Sequence, residues 1–392
     1  MKGLGRFTRL MLLMNPLLLV LLAFATSKSR EDGDGRCKYK RTLAPRPHSV
    51  SITEFGAVGD GLTMNTLAFQ NAIFYLRSFA DKGGAQLYVP KGKWLTGSFN
   101  LTSHLTLFLD KGAVIIGNQD ISQWPITSPL PSYGRGIDIP GDSNIEVQNI
   151  TIHAPSDSPF TNGIVPDSCS DVCIEDSSIA VGHDAITLKS GWDEYGISYG
   201  RSSSEIHISK VFLQSPLGSA LAFGSEMSGG ISNIRAEHLR IYNSRMGINF
   251  KTTRGRGGFM EEILVSDVEI HYVETAVQFT GYSGGHADDK YDPSALPVIN
   301  RITIKNVMGT NISVAGALYG IEHDPFTAIC LSNISMTVVS EVSHSWTCSN
   351  VSGFSQSVFP EPCSELQIHY SNSSLLCYSF VDDYEFSPLA IA

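Results

Sequence analysis

The chain has 392 residues, of which 42% are hydrophobic and only 9% aromatic, and it carries a formal net charge of −10 at pH 7. General nucleic-acid binding needs a broad basic surface for phosphate contacts, so this charge excludes that class and leaves room for a local basic patch at most. The 36 glycines favour a fold of many short strands and tight turns.

Residues 1–27 have the pattern of a secretory signal peptide. Lys2, Arg6 and Arg9 precede an apolar run over 10–25, and small residues follow it. The run is shorter than the ~20 residues of a spanning helix, and an uncleaved signal anchor is the alternative. We therefore expect a secreted, extracellular or cell-wall protein without stable membrane association, with a linker over 28–48.

Glycosylation sequons and cysteines agree with secretion. Six Asn-X-Ser/Thr sequons occur, at Asn100, Asn149, Asn311, Asn333, Asn350 and Asn372. The seven cysteines are Cys37, Cys169, Cys173, Cys330, Cys348, Cys363 and Cys377. In an oxidising compartment they would form disulfides with one cysteine left over, and their connectivity stays open. Their spacing does not resemble a zinc site, so we expect neither a metal nor a cofactor.

One helix is predicted beyond the signal, over 66–82, where apolar residues recur at helical spacing. Asn65 or Thr66 is the expected cap, and Gly83-Gly84 the expected end. Short strands are predicted before and after it, at 50–57, 86–89, 94–99, 105–109 and 113–116.

A repeat begins at residue 144. Each copy reads polar, aliphatic, any, aliphatic, any, polar, aliphatic, and the copies start roughly 27 to 39 residues apart. The seven copies begin at Asn144, Asp171, Glu205, Asn233, Glu262, Arg301 and Ala328. Such short alternating units predict an all-β protein, a right-handed parallel β-helix over 49–340 with the N-terminal helix capping its open end. A propeller is the alternative, but few hairpin signals support it; 341–392 is expected to be a cysteine-containing tail.

Aligned on the repeat, the second strand of each coil predicts outward columns of side chains. The first contains Asn162, Asp184, Ser219 and Met246, the second Thr187, Ala222, Asn249 and Gln278, and the third Lys189, Gly224, Lys251 and Thr280. Coils about 4.8 Å apart would make these columns one compact surface. Carboxylates and lysines on a flat sheet suit an extended anionic polysaccharide, and the cations expected to bind its carboxylates are Lys189, Lys251, Arg254 and Arg256.

The chain resembles plant polygalacturonase-like proteins of glycoside hydrolase family 28, from about residue 50 to residue 334. The resemblance rests on SITEFGAVGDG, VPDSCSDVCIEDS, LKSGWDEYG, GSEMSGGI, KTTRGRGG and DDKYDPSALP. It implies a right-handed, pectin-lyase-like β-helix that hydrolyses α-1,4-linked galacturonan in the cell wall with inversion, without a metal. Inversion needs a protonated acid and a second carboxylate roughly 6.5–9.5 Å apart.

The family's carboxylate positions are only partly retained. Its N-T-D motif falls on Phe160-Thr161-Asn162, where an amide replaces a carboxylate, and its D-D motif falls on His183-Asp184. Asp184 is therefore the expected catalytic carboxylate and His183 a possible proton donor. Asp167, Asp193, Glu194 and Glu226 are other carboxylates that could supply the missing partner.

The remaining motifs are altered too. The histidine of G-H-G falls on Ser219, and R-I-K falls on Asn249-Phe250-Lys251, which keeps only the lysine. Candidate substrate-binding residues are Asn162, Lys189, Ser219, Glu226, Asn249, Lys251 and Arg254. The chain also looks short of several coils near 136–144, through a real deletion or an incorrect gene model.

Three functions follow from these residues. The first is a secreted polygalacturonase-type glycosidase acting as a monomer on pectic polysaccharide, with endo or exo action left open. The second is a catalytically impaired relative that binds pectin. The third is a polysaccharide lyase, whose calcium would have to be held by acids such as Asp288, Asp289 and Asp292.

Overall fold

The computed structural model describes residues 46–125, 128–134, 143–158, 160–339 and 345–367. The predicted signal peptide, most of the linker, the sequon at Asn372, two cysteines (Cys37 and Cys377) and the expected shortening near 136–144 lie outside the described residues. Within that part of the chain, no helix is long and apolar enough to cross a membrane.

The N-terminal part forms two parallel three-stranded sheets beside one helix, α1 (Thr66–Arg77). One sheet has the order β1-β3-β5 and the other β2-β4-β6. The strands are β1 (His48–Ser51), β2 (Asp60–Met64), β3 (Ala85–Val89), β4 (Gly92–Thr96), β5 (Leu105–Leu109) and β6 (Ala113–Gly117). Buried Phe69, Leu76, Leu87 and Trp94 belong to one hydrophobic cluster, so the apolar face of α1 packs on these sheets.

The predicted helix over 66–82 is correct in place but too long. Helix α1 ends at Arg77, and a separate 3-10 turn covers Ala80–Lys82. Asn65 does not cap α1 with its side chain, because its Oδ1 accepts a hydrogen bond from Val58 N at 2.8 Å. Gly83 has φ 90°, the left-handed conformation that glycine adopts without strain, and it ends the segment as predicted.

From residue 143 the strands build one large sheet in which every strand pairing is parallel. The strands are β7 (Ser143–Gln148), β8 (Thr151–His153), β9 (Ser170–Glu175), β10 (Ser178–Ala180), β11 (Ile186–Leu188), β12 (Ser203–Ser209), β13 (Phe212–Gln214), β14 (Ser219–Phe223), β15 (Ile231–Lys251), β16 (Phe259–Thr280), β17 (Val298–Tyr319), β18 (Phe326–Val338), β19 (Trp346–Ser349) and β20 (Val351–Phe359). Successive parallel coils make a parallel β-helix, as predicted, with the right-handed connection that such crossovers adopt.

The seven repeat copies stack in register. Their second residues form one column along the helix axis, Ile145, Val172, Ile206, Ile234, Ile263, Ile302 and Ile329. The last six of these are at most 4% exposed. Stacked aliphatic side chains therefore fill the interior, and their removal from water favours the coiled conformation.

The polar residues of the repeat are corners. The first and sixth residues of each copy have positive φ, near 50–58°, for example Asn144 at 57° and Asn149 at 54°. A left-handed residue costs roughly 1–2 kcal/mol unless it is glycine, asparagine or aspartate, which explains why asparagine and aspartate recur there. At one corner Asn333 donates to Asn306 Oδ1 at 2.9 Å, and Asn306 donates to Asp267 Oδ1 at 3.0 Å.

Three elements differ from the sequence-based expectation. The strand predicted over 50–57 is wrong beyond Ser51, because β1 ends there and a 3-10 turn covers Ile52–Phe55. A second helix, α2 (Asp193–Tyr199), forms in the WDEYG motif, where no helix was predicted. The β-helix also continues past 340, because β19 pairs with β17 and β20 pairs with β18. The segment expected to be a tail therefore begins as a further coil, and a disulfide joins Cys348 to Cys363 across it. Cys173 takes part in a disulfide as well, and so does Cys330.

Candidate active site

Neighbouring coils bring the predicted polar column together. Gly163 N donates to Asp184 O at 3.0 Å and Ala185 N donates to Ser219 O at 2.9 Å, so Asn162, Asp184 and Ser219 lie on successive coils. Ser219 is in turn paired with Met246. Because β11, β14 and β15 are parallel and in register, each coil presents the same position of its repeat to this face.

Asp184 is nearly inaccessible, with 3% exposure, and its carboxylate is fully engaged. Lys251 Nζ lies 2.6 Å from its Oδ2, and Ser219 N donates to its Oδ1 at 2.8 Å. Burial by itself would raise the pKa of Asp184, but the Lys251 ammonium and the Ser219 N–H outweigh it and hold that pKa below its usual value. The Asp184 carboxylate is therefore held in its ionised form.

His183 is the exposed member of this group, with 40% of its side chain accessible. Its Nδ1 lies 2.8 Å from Asn162 Oδ1, which also accepts a hydrogen bond from Asp184 N at 3.1 Å. The same Nδ1 lies 4.0 Å from Asp184 Oδ2. The Asn162 amide thus orients the imidazole at the edge of the site.

The second column has the predicted register but does not form an exposed surface. Thr187, Ala222 and Asn249 pair across the coils, yet none of them is more than 4% exposed. Asn249 Nδ2 donates to Ser219 Oγ at 3.0 Å, and Thr187 Oγ donates to Gly224 O at 3.1 Å. The expectation that this column forms an exposed surface is therefore wrong at these three positions.

A second ionisable group lies at the other end of β11. Lys189 Nζ is 2.8 Å from Glu226 Oε2, and Asp167 pairs with Lys189 through the backbone. Tyr133, from a 3-10 turn over Pro131–Tyr133, donates its hydroxyl to Asp167, and Ser168 Oγ donates to the same carboxyl at 2.9 Å. Trp192 N donates to Ser132 O at 2.8 Å and so fixes this turn beside α2.

The two carboxyl groups of this cluster differ in acidity. Burial raises the pKa of Asp167 and the Glu226 charge adds to it, which outweighs the opposing effects of Tyr133, Ser168 and Lys189. Burial acts in the same direction on Glu226, but the Lys189 ammonium overrides it and lowers that pKa. One carboxyl thus has a raised pKa and its neighbour a lowered one.

The predicted cations divide into two kinds. Arg254 is exposed and donates from Nη2 to Glu322 O at 3.0 Å, so its remaining donors reach solvent. The expectation that Arg256 binds substrate is wrong, because it is 0% exposed and its Nη1 lies 2.5 Å from Asp193 Oδ1. Asp193 is equally buried and also accepts from Ala287 N at 3.0 Å. The ion pair between Arg256 and Asp193 holds α2 in place and takes no part in substrate binding.

Asp288 and Asp292, the acids considered as calcium ligands, form hydrogen bonds within the protein. Asp288 accepts a hydrogen bond from Tyr195 OH at 2.7 Å, and Asp292 accepts one from Ser294 N at 2.8 Å. Sequence reasoning missed Tyr133 altogether. It lies outside the repeat, 34 residues before the carboxyl that it contacts, and no local pattern connects the two.

Known proteins resemble this chain over most of its length. The sequence model of "Glycosyl hydrolases family 28" matches residues 134–360. A Vitis vinifera protein named "Probable polygalacturonase" is 40% identical over an alignment that covers 92% of this chain and 90% of the relative. "Polygalacturonase-2" of Solanum lycopersicum is 22% identical, with 84% of each chain covered.

Solved structures show the same fold. The exopolygalacturonase of Thermotoga maritima superposes with a TM-score of 0.64 at 21% identity, over 80% of this chain and 92% of its own. The polygalacturonase of Erwinia carotovora gives a TM-score of 0.53 at 17% identity, over 80% of this chain and 99% of its own. Both likenesses support the β-helical architecture.

Proposed function

The chain belongs to glycosyl hydrolases family 28, and from that premise we propose that it hydrolyses the α-1,4 links of galacturonan in pectin. The observation that carries the proposal is Asp184, the family carboxylate that this chain retains and holds in its ionised form. An ionised carboxylate can take a proton from the water that attacks the anomeric carbon.

Lys251 determines whether the substrate can reach the Asp184 carboxylate. Its ammonium closes the site by pairing with Asp184, and 15% of its side chain is accessible. A uronate carboxylate offers the same charge and hydrogen-bond geometry as Asp184, so an incoming galacturonate competes for Lys251. Lys189 and Arg254 add cations for neighbouring uronates, while Asn162, Ser219 and Asn249 shape the floor.

Hydrolysis also requires a proton for the leaving glycosidic oxygen. Two groups can supply it, His183 beside Asp184 and Asp167 at the other end of β11. The protein would act as a secreted monomer in the cell wall, where pectic polysaccharide is its partner.

The experiment measures reducing ends released from polygalacturonic acid by the secreted protein between pH 4 and 8, beside the Asp184→Asn variant. We expect release by the wild type and a loss of at least ~100-fold in the variant, with thermal melts showing that both are folded. Binding of polygalacturonate without any release would instead establish a pectin-binding relative. Absence of both binding and release would overturn the proposal.

A further inference from the structure

Phe160 is an exposed phenylalanine beside the candidate active site. It is 84% exposed, so its ring gains little from burial. Its ring centroid nevertheless lies 6.1 Å from that of His183, within the range of an aromatic contact. A single exposed ring needs no explanation by itself, so the backbone and the surroundings of Phe160 must show whether it has a role.

The backbone of Phe160 is strained. Its φ is 55°, in the left-handed region, where a bulky side chain is an outlier. Asparagine and aspartate adopt this conformation at lower cost, and no other phenylalanine in the described part of the chain has a positive φ. Phe160 therefore contributes neither burial nor a relaxed backbone to the folded protein. Strain of this kind at the edge of a site points to a contact with a ligand.

The segment around Phe160 is fixed against the segment that carries Asp184. His183 N donates to Thr161 O at 3.1 Å, and Gly163 N donates to Asp184 O at 3.0 Å. Phe160 thus lies one coil before Asp184. Its ring borders the surface that a sugar chain bound at Asp184 contacts.

The surroundings of Phe160 are polar but carry no fixed positive charge. The hydroxyl groups of Thr161 and Ser158 lie 2.6 Å apart. Asn162 Oδ1 accepts hydrogen bonds from a backbone N–H and from His183 Nδ1. The described residues thus place no ammonium or guanidinium group in hydrogen-bond contact with this segment.

The ammonium groups of this face lie at other positions. Lys251 pairs with Asp184. Lys189 pairs with Glu226, at the other end of β11. An ionised uronate packed on the phenyl ring would therefore lose water from its carboxylate without gaining a cation, which is unfavourable. A methyl ester carries no charge and adds an apolar methyl group to the buried surface, so the ring favours the esterified sugar.

We propose that Phe160 binds a methyl-esterified galacturonate, with its ring against the C–H face of the sugar. Lys251 and Lys189 bind ionised uronates elsewhere in the same chain, so the site takes partly esterified pectin. This inference rests on the proposed function, since it requires a pectic chain along this face. It adds a preference for the esterification pattern of that chain.

The first test measures binding without turnover. In the Asp184→Asn background, titration calorimetry compares two oligogalacturonides of equal length, one de-esterified and one partly methyl-esterified. Phe160→Asn should weaken binding of the esterified oligomer by about 5- to 20-fold, because the ring contact and its apolar area are lost. Binding of the de-esterified oligomer should weaken by less than about 3-fold. Phe160→Tyr keeps a ring and should bind both oligomers as the parent does.

The second measurement distinguishes a binding role from a structural one. Phe160→Asn should raise the melting temperature by about 1–4 °C, because asparagine tolerates the left-handed conformation and little buried surface is lost. Phe359→Asn is the matched control, since Phe359 is 68% exposed in β20 and has no positive φ. This control should not raise the melting temperature, and it should leave both affinities unchanged.

The outcomes separate this inference from the hydrolase function. Equal loss of affinity for both oligomers, or loss for neither, overturns the contact with an esterified sugar, and a lowered melting temperature then assigns the ring a structural role. Selective loss in a protein that releases no reducing ends supports the Phe160 contact and overturns only the hydrolysis. A folded protein that binds neither oligomer overturns both proposals.

Discussion

The ion pair between Asp184 and Lys251 stabilises the buried carboxylate and also blocks access to it. The carboxylate needs its cation, because a charge with 4% exposure and no partner would be strongly destabilised. The same contact excludes solvent from Asp184 until another anion binds Lys251. The neighbouring positions hold an amide, Asn162, and an imidazole, His183, so one ammonium stabilises the Asp184 carboxylate.

Lys251→Met should destabilise the protein by about 3–5 kcal/mol at pH 7, because it leaves the buried Asp184 carboxylate unpaired. Asp184 has a lowered pKa in the folded protein, so the pair stabilises above the carboxyl's ordinary pKa, and this contribution is lost as the pH falls. The difference between the variant and the wild type in urea unfolding should therefore shrink between pH 7 and about pH 3.

Lys290→Met is the matched control, since Lys290 is exposed. It should change the free energy of unfolding by less than about 0.5 kcal/mol at either pH. A Lys251→Met effect of that small size would show that the buried pair contributes nothing to stability.

At the scale of the element, each coil is a set of short strands joined at left-handed corners. Strand β15 has 21 residues only because its corners at Asn233, His238 and Asn243 keep the hydrogen-bond ladder unbroken. Most corners carry asparagine, aspartate or another polar residue, but the last repeat copy places Ala328 there with φ 51°. Ala328 therefore carries the left-handed strain that asparagine and aspartate avoid at Asn144, Asp171 and Asn233.

Ala328→Gly should raise the free energy of unfolding by about 0.5–1 kcal/mol. Relief of the left-handed strain, roughly 1–2 kcal/mol, exceeds the ~0.5–1 kcal/mol that glycine costs in the unfolded chain. Ala276→Gly, at a fully buried position of β16 outside the corners, is the control and should destabilise. Urea denaturation compares the two, and destabilisation by both changes would contradict the corner argument.

At the scale of the molecule, the described residues form two hydrophobic clusters, one beside α1 and one inside the large sheet. The larger cluster contains a stack of rings along the helix axis, Phe223 on Phe250 at 4.4 Å and Phe250 on Phe279 at 4.3 Å. Coils of a solenoid contact only their neighbours, so stability is a sum of local interfaces.

Phe250→Ala should cost about 3–5 kcal/mol, because it removes a ring from the middle of a close-packed stack. Hydrogen exchange should quicken at the amides of β14 and β16 on either side, while those of β3 in the α1 cluster keep their rates. Phe359→Ala, at a ring that is 68% exposed, is the control and should change little. Equal loss of protection in both clusters would show that the molecule unfolds as one unit.

The conformation of each coil follows from local features of the amino-acid sequence. Inward aliphatic residues at every second position and polar residues at the corners are local preferences, and a regular repeat places equivalent residues on one face. The columns through Asp184 and Thr187 followed from that regularity, and the family match confirmed the fold and the hydrolase class. The roles of the individual site residues stay predictions.

The contacts between these residues depend on the packing of distant parts of the chain. The ion pair of Lys251 with Asp184, the burial of Arg256 against Asp193 and the contact of Tyr133 with Asp167 join residues 67, 63 and 34 positions apart. A repeat fixes the direction in which a side chain leaves its strand, but the length and packing of loops fix its partner. Charge and protonation depend on those partners, so the chemistry of this face could not be read from the pattern that built it.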